Sequence, residues 1–159
     1  MTNFPIVSII TPSMNHAAFI EEAIQSIITQ NYPKIEYIVM DGGSTDGTID
    51  ILKKYSDKLI WHSEVDQSLY DAVNKGWELS KGEYLGYLNC DDLLCPGAVT
   101  TLVQYLSDNR NIPFVYGDFY RIDQRGNIIE TYKAREPDLN ALLRNGNFIF
   151  TGSMLFRRS

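Results

Sequence analysis

What most constrains this chain is an alternation that runs through its first two thirds: a short β-branched apolar run, a polar turn, then an apolar stripe at helical spacing. Ile6–Thr11 reads as a buried strand, with Pro12 expected to end it. Ala18–Gln30 places Phe19, Ile20, Ala23, Ile24, Ile27 and Ile28 on one helical stripe, and Asn31 and Pro33 stop it. Ile35–Met40 is a second strand, followed by the polar loop Asp41–Thr48 and a short helix through Ile49, Leu52 and Tyr55. Leu59–His62 is a third strand, Asp71–Leu79 a helix and Tyr84–Asn89 a fourth strand. Pro96 then opens a helix to about Asn109. Such alternation predicts an α/β fold: a mainly parallel sheet with helices on both faces.

The pattern changes after Pro113. Phe114–Arg121 and Asn127–Lys133 read as two strands of a hairpin around Arg125, Gly126 and Asn127. Pro137–Arg144 is a short helix and Phe148–Arg157 a last strand. With 159 residues and no repeat, low-complexity tract or linker, one domain is the expectation.

Composition closes off several functions. Lys plus Arg is 14 against 20 Asp plus Glu, so a net charge of −6 argues against a general nucleic-acid surface. Cys90 and Cys95 make neither a disulfide framework nor a zinc-type C-x-x-C pair, which fits a reducing compartment. The first twenty residues carry no basic start and are interrupted by Pro5, Ser8, Thr11, Pro12, Ser13 and Asn15, unlike an export signal. No apolar stretch approaches 18 residues, the length a membrane helix needs.

Open α/β sheets bind ligands at the carboxyl ends of their strands, and polar residues gather there. Strand one runs into Thr11-Pro-Ser-Met-Asn15, strand two into Asp41, strand three towards Glu64 and Asp66, and strand four into Asn89-Cys-Asp-Asp92. Asp and Asn also favour turns for their own sake, but acids at three successive strand ends exceed that tendency. Asp91 and Asp92 repel one another unless a cation lies beside them. Hard divalent ions such as Mg²⁺ or Mn²⁺ take oxygen ligands and share coordination with substrate phosphates. The competing reading has Asp92 capping the next helix. Asp41-Gly-Gly-Ser-Thr-Asp-Gly-Thr48 lacks the Lys of a phosphate-binding Walker loop and the spacing of a dinucleotide fingerprint. An acid at Asp41 suits the polar edge of a base or ribose, while Asp46 and Thr48 read as loop and cap groups.

Taken in order, several segments resemble family 2 of the inverting glycosyltransferases, with the GT-A fold. They are Val7–Asn15, Asn31-Tyr-Pro33, Glu36–Thr48, Asp66–Gly76 and Gly82–Asp92. The resemblance implies a site residue by residue. Thr11, Pro12 and Asn15 would belong to the nucleotide pocket. Asp41 would bond the base, most often uracil, with Ser44 supporting its loop. Asp66 would close over base and ribose, and Asn74 and Lys75 would lie towards the diphosphate. The family's D-x-D motif falls on Asn89-Cys90-Asp91: Asp91 would hold the Mn²⁺ or Mg²⁺ that bridges the diphosphate, with Asp92 behind it. Asn89 replaces the usual first acid, which contacts the ribose; an amide still hydrogen-bonds a hydroxyl.

The same resemblance makes 1–110 a nucleotide-binding half and 111–159 the start of an acceptor half. The family's catalytic base would then fall beyond Ser159, with Asp118 a poor in-chain candidate. The implied partners are a nucleotide-sugar donor, such as a UDP-sugar, and a carbohydrate or lipid-linked acceptor; the implied location is cytoplasmic or peripheral to the membrane. An apolar face at Phe148, Ile149, Phe150 and Leu155 would be left for self-association. Two rivals stand beside this reading. A sugar nucleotidyltransferase would need a glycine-rich basic loop where Thr11–His16 has neither Gly nor Lys, and a non-catalytic nucleotide-sugar-binding module would bind without turnover. His16 is expected to cap the first helix, His62 to be an ordinary strand residue, Tyr70, Trp77 and Tyr84 to be core or rim, and Cys90 to be small filler under the metal loop.

Overall fold

A computed structural model describes residues 4–145 and 148–158. The described residues form the strands β1 (Val7–Ser13), β2 (Ile35–Asp41), β3 (Ile60–Ser63), β4 (Tyr84–Tyr87), β5 (Phe114–Tyr116), β6 (Phe119–Ile122), β7 (Ile128–Tyr132) and β8 (Met154–Arg157). The helices are α1 (Ile20–Ile28), α2 (Thr48–Lys54), α3 (Leu69–Leu79), α4 (Ala98–Asp108) and α5 (Leu139–Asn145). The main sheet has the order β3-β2-β1-β4-β8-β5; β6 and β7 form a separate hairpin. β1, β2, β3 and β4 run parallel, and β8 lies antiparallel between β4 and β5. This is the expected α/β architecture.

Both faces of the central strands are covered, so they read as continuous apolar runs. Val7, Ile9, Tyr37 and Val39 face one side and bury against Ile20, Ile24 and Ile27 of α1, Leu52 of α2, and Val99, Val103 and Leu106 of α4. Ile10, Ile38 and Met40 face the other and pack with Ala72 of α3. Gly76 lets α3 lie close there: a Cβ at that position would sit 2.5 Å from Ile10 Cγ2.

Strand one differs from the expectation. Pro12 does not end it; β1 continues through Pro12 and Ser13, paired with Met40 and Asp41. The reason is direction. Val7 N–H donates to Lys34 O on the β2 side, so odd-numbered N–H groups face β2 and even-numbered ones face β4. The N–H that Pro12 lacks would have pointed towards β4, so its loss breaks no bond of the β1–β2 ladder, which continues to Ser13, while the β1–β4 contact stops at Ile10, whose carbonyl accepts from Leu88 N–H.

The expected strand Phe114–Arg121 is two strands. Gly117 N–H donates to Ser153 O, and Ser153 Oγ donates to Gly117 O. These bonds end β5 in the main sheet, and the chain leaves it to form β6. Phe119 and Tyr132 stack across the hairpin, centroids 4.4 Å apart. The last strand is also shorter than expected: Thr151–Ser153 is a 3₁₀ turn, only Met154–Arg157 is strand, and residues 146 and 147 lie outside the described residues. Of the expected apolar face, Phe148, Ile149 and Phe150 are half-buried. Leu155 is buried in β8, Phe150 packs on Phe119 at 5.0 Å, and the Arg135 guanidinium lies 3.8 Å over the Phe148 ring.

Two consecutive arginines tie β8 to the helices. Arg157 donates to the carbonyls of Leu106, Asn109 and Ile112 at the end of α4. Arg158 donates to those of Trp77 and Gly82 and to Ser80 Oγ at the end of α3. Both neutralise the negative end of a helix dipole and satisfy orphan carbonyls. No helix of the described residues is long and apolar enough to cross a membrane.

Candidate functional site

After β3 the chain returns to β4 on the far side of β1, so the strand order reverses between β1 and β4. The carboxyl ends of strands diverge at such a point and leave a crevice. A cleft of about 550 Å³ lies there, walled by the ends of β1 and β2, the segment Val65–Leu69, Ala72 of α3, and Asn89, Cys90 and Asp91 after β4. Pro12, Met14, Val65, Leu69 and Ala72 give it an apolar floor. Its charged lining residues are Asp66 and Asp91; no Lys or Arg lines it.

Two loops build one rim by bonding to each other. Asn15, at a left-handed φ of 57°, donates its N–H to Ser44 Oγ (2.7 Å), and its side-chain Oδ1 accepts from Thr45 N–H (2.9 Å). His16 N–H donates to Thr48 Oγ1, and Ala17 N–H to Asp46 Oδ2 (2.9 Å). The hydrogen bond from Thr48 Oγ1, with those from backbone N–H groups, holds the Asp46 carboxyl down at about 2. His16 Nδ1 accepts from Met14 N–H, and its backbone carbonyl receives the N–H groups of Phe19 and Ile20; its side chain does not cap α1, whose N-cap is Phe19 with no side-chain hydrogen bond, contrary to expectation.

Asp41 lies beneath this rim, 1% exposed. Oδ2 accepts from Gly43 N–H (3.0 Å), Ser44 N–H (2.9 Å) and Ser63 Oγ (2.7 Å), and Oδ1 from Ser44 Oγ. Its acceptor capacity is spent on the loop, and Gly42, not Asp41, borders the cleft. Thr11 is likewise buried beneath, accepting from Tyr37 OH (3.1 Å), while Pro12 reaches the cleft. Asn74 is exposed on α3, away from the lining. The Lys75 ammonium lies among Glu64, Asp66 and Asp71 at 2.8–3.1 Å rather than on the cleft surface.

At the other end Asn89 Nδ2 donates to Asp92 Oδ2 (2.9 Å). Because a carboxylate only accepts, this bond turns the Asn89 carbonyl oxygen away from Asp92 and leaves it able to accept from elsewhere. Burial raises the Asp92 carboxyl, and burial also pushes the Cys90 thiol up to about 11, which makes it an inert filler. Asp91 is exposed on the cleft rim. Helix α1 braces the following loop: Leu94 N–H donates to Ser26 Oγ (3.1 Å), and Gln30 Nε2 to Cys95 O (2.9 Å). Ser13 Oγ is buried at the cleft floor and has no oxygen or nitrogen partner among the described residues. Asp118 is not among the residues lining the cleft; Lys133 Nζ (2.6 Å) and Ala134 N–H (2.8 Å) hold its carboxyl below the usual range.

Residues that sequence reasoning missed include Met14, Val65 and Leu69, whose apolar side chains carry no chemical signature, and Ser63, which reaches Asp41 from a different strand.

Comparison with known proteins decides the family. The model of glycosyl transferase family 2 matches residues 8–159. The chain belongs to that family. A PGL/p-HBAD biosynthesis glycosyltransferase of Mycobacterium bovis is 35% identical over 119 residues, 72% of this chain and 46% of that protein. A glycosyltransferase of Rickettsia typhi is 32% identical over 170 aligned positions, 99% of this chain and 53% of that protein. This family 2 chain therefore spans about half the length of these relatives. Among solved structures, a mannosyltransferase from Pyrobaculum calidifontis in complex with GDP-Man and Mn²⁺ superposes with a TM-score of 0.72 at 25% identity, covering 99% of this chain and 46% of that one. TarS of S. aureus in complex with UDP shares the fold, with a TM-score of 0.72 at 22% identity over 96% of this chain and 46% of that one.

Proposed function

We propose that the cleft binds the nucleoside diphosphate of a sugar donor, and that the protein transfers the sugar to an acceptor hydroxyl with inversion. The carrying observation is the cleft itself: an apolar floor at the β1–β4 switch point with Asp66 at one end and Asn89 and Asp91 at the other. A base suits the floor, and the Asn89 carbonyl oxygen suits a ribose hydroxyl. Relatives in complex with GDP-Man and Mn²⁺ or with UDP support a nucleotide-sugar donor.

A diphosphate brings negative charge to a cleft without Lys or Arg, and Asp91 adds more. A divalent cation between them removes the conflict. The residues fit such an ion: Asp91 is an open carboxylate, and Asp92 is tied to Asn89 behind it. No group of three His, Cys, Asp or Glu able to hold a metal exists among the described residues, so the diphosphate oxygens would complete the coordination, as is usual for Mg²⁺ and Mn²⁺ sites. Bound there, the metal supplies charge neutralisation to the leaving nucleoside diphosphate. Asp91 binds, Asn89 orients, and the β1 and β2 rim loops fix the floor. Asp118 is a poor candidate for the base, since its ion pair with Lys133 favours the ionised form and lowers its proton affinity. A nucleotidyltransferase reading is disfavoured because a triphosphate would meet the same cleft without a cationic side chain.

Titration of the chain with UDP, GDP and ADP in the presence of Mn²⁺ tests the reading. UDP is expected to bind at least tenfold tighter than ADP; equal affinity for all three would contradict a uridine donor.

A further inference from the structure

Lys75 follows Asp71 by one turn of α3, and its ammonium has three carboxylate partners: Glu64 Oε1 at 2.8 Å, Asp66 Oδ1 at 3.0 Å and Asp71 Oδ2 at 3.1 Å. An ammonium carries three hydrogens, so each is engaged and none is left for a phosphate. All three acids belong to one stretch, from the end of β3 to the first turn of α3. That stretch is a cleft wall: Val65, Asp66, Gln67, Ser68 and Leu69 all line it. Asp71 Oδ2 also accepts from Gln67 N–H (3.2 Å), and Ser68 Oγ caps Asp71 N–H (3.2 Å). One cation thus ties the two ends of the wall together.

Isolated surface ion pairs contribute little, but networks of several charges are the exception. Here the Lys75 side chain is 33% exposed and that of Asp66 only 9%. The hydrogen bonds that Lys75 donates to Glu64, Asp66 and Asp71 raise its ammonium, so it stays charged at any physiological pH. The Lys75 bond uses Asp66 Oδ1, leaving Oδ2 to accept from a ligand. Without Lys75 the three acids would repel one another, and Asp66 would lose the group that fixes its carboxylate at the cleft.

We propose that Lys75 is a positioning residue that holds the Asp66 carboxylate as acceptor for an N–H or O–H of the nucleoside half of the donor, with no contact of its own to the diphosphate. This rests on the nucleotide-diphosphate reading of the cleft.

The test compares UDP with inorganic pyrophosphate, each titrated with Mn²⁺ into wild type, Lys75→Met, Asp66→Asn and the double variant. Pyrophosphate occupies only the diphosphate end. Lys75→Met is expected to fold and to weaken UDP at least tenfold while changing pyrophosphate by less than threefold. The double variant is expected to bind UDP within twofold of Lys75→Met alone, because the lysine acts through Asp66. Equal loss of both ligands, unchanged UDP affinity, multiplied losses in the double variant, or a Lys75→Met chain that does not fold would each overturn the role of Lys75. Wild type that binds neither compound would instead contradict the reading of the cleft, and with it the inference.

Discussion

Asp41 shows how a residue at a strand end organises the loop that follows it. Its carboxylate takes four hydrogen bonds from Gly43, Ser44 and Ser63. Removing it leaves those donors unpaired in a buried place, so Asp41→Ala should cost about 2–4 kcal/mol of folding stability. Urea unfolding measures this; a midpoint equal to wild type would contradict the buried role. Asp46 gives a pH signature. Its folded value of about 2 lies below that of an unfolded Asp, so its stabilising effect is complete above about pH 4 and disappears as pH falls towards 2. Asp46→Asn should flatten the fall of unfolding midpoint across that window, and parallel curves for the two proteins would argue against it. The position of both acids was legible, since Asp and Thr in a glycine-rich turn announce a structured loop. Which partner each one takes was not, because Ser63 and Ala17 reach them from segments distant in sequence.

At the scale of elements, the apolar periodicity gave the helices and the parallel strands to within a few residues, since a strand buried on both faces must be apolar throughout. It failed at Pro12, where the side to which the missing N–H would point, away from β2, decides whether the strand can continue. It failed again at Gly117, where Ser153 breaks what looks like one strand. Arg157 was legible as the end of the last strand, but not that it and Arg158 each close the end of a different helix. Arg157→Ala and Arg158→Ala should each destabilise the fold by about 1–3 kcal/mol, through unsatisfied carbonyls and lost dipole compensation. Thermal melts should shift down for both; a surface-like response within experimental error would contradict the capping role. Gly76→Ala should also destabilise, by about 1–3 kcal/mol, because its methyl group would overlap the fully buried Ile10.

For the whole molecule, sequence order already placed the acids at the carboxyl edge of a parallel sheet, and the sheet order gathers Asp66, Asn89 and Asp91 around one cleft. What sequence could not reveal was the charge balance of that cleft: Lys75 is near it in sequence but spends its charge on three carboxylates. The outcome is a cleft lined, among the described residues, by no Lys or Arg, and the proposed nucleotide binding there would depend on a cation held by Asp91. Calorimetric titration of UDP into wild type and Asp91→Asn, each with Mn²⁺ and with a chelator, tests this most directly. Wild type should bind at least tenfold more tightly with Mn²⁺ than with chelator, and Asp91→Asn should bind equally weakly in both; wild-type affinity that is unchanged by the chelator would contradict the account.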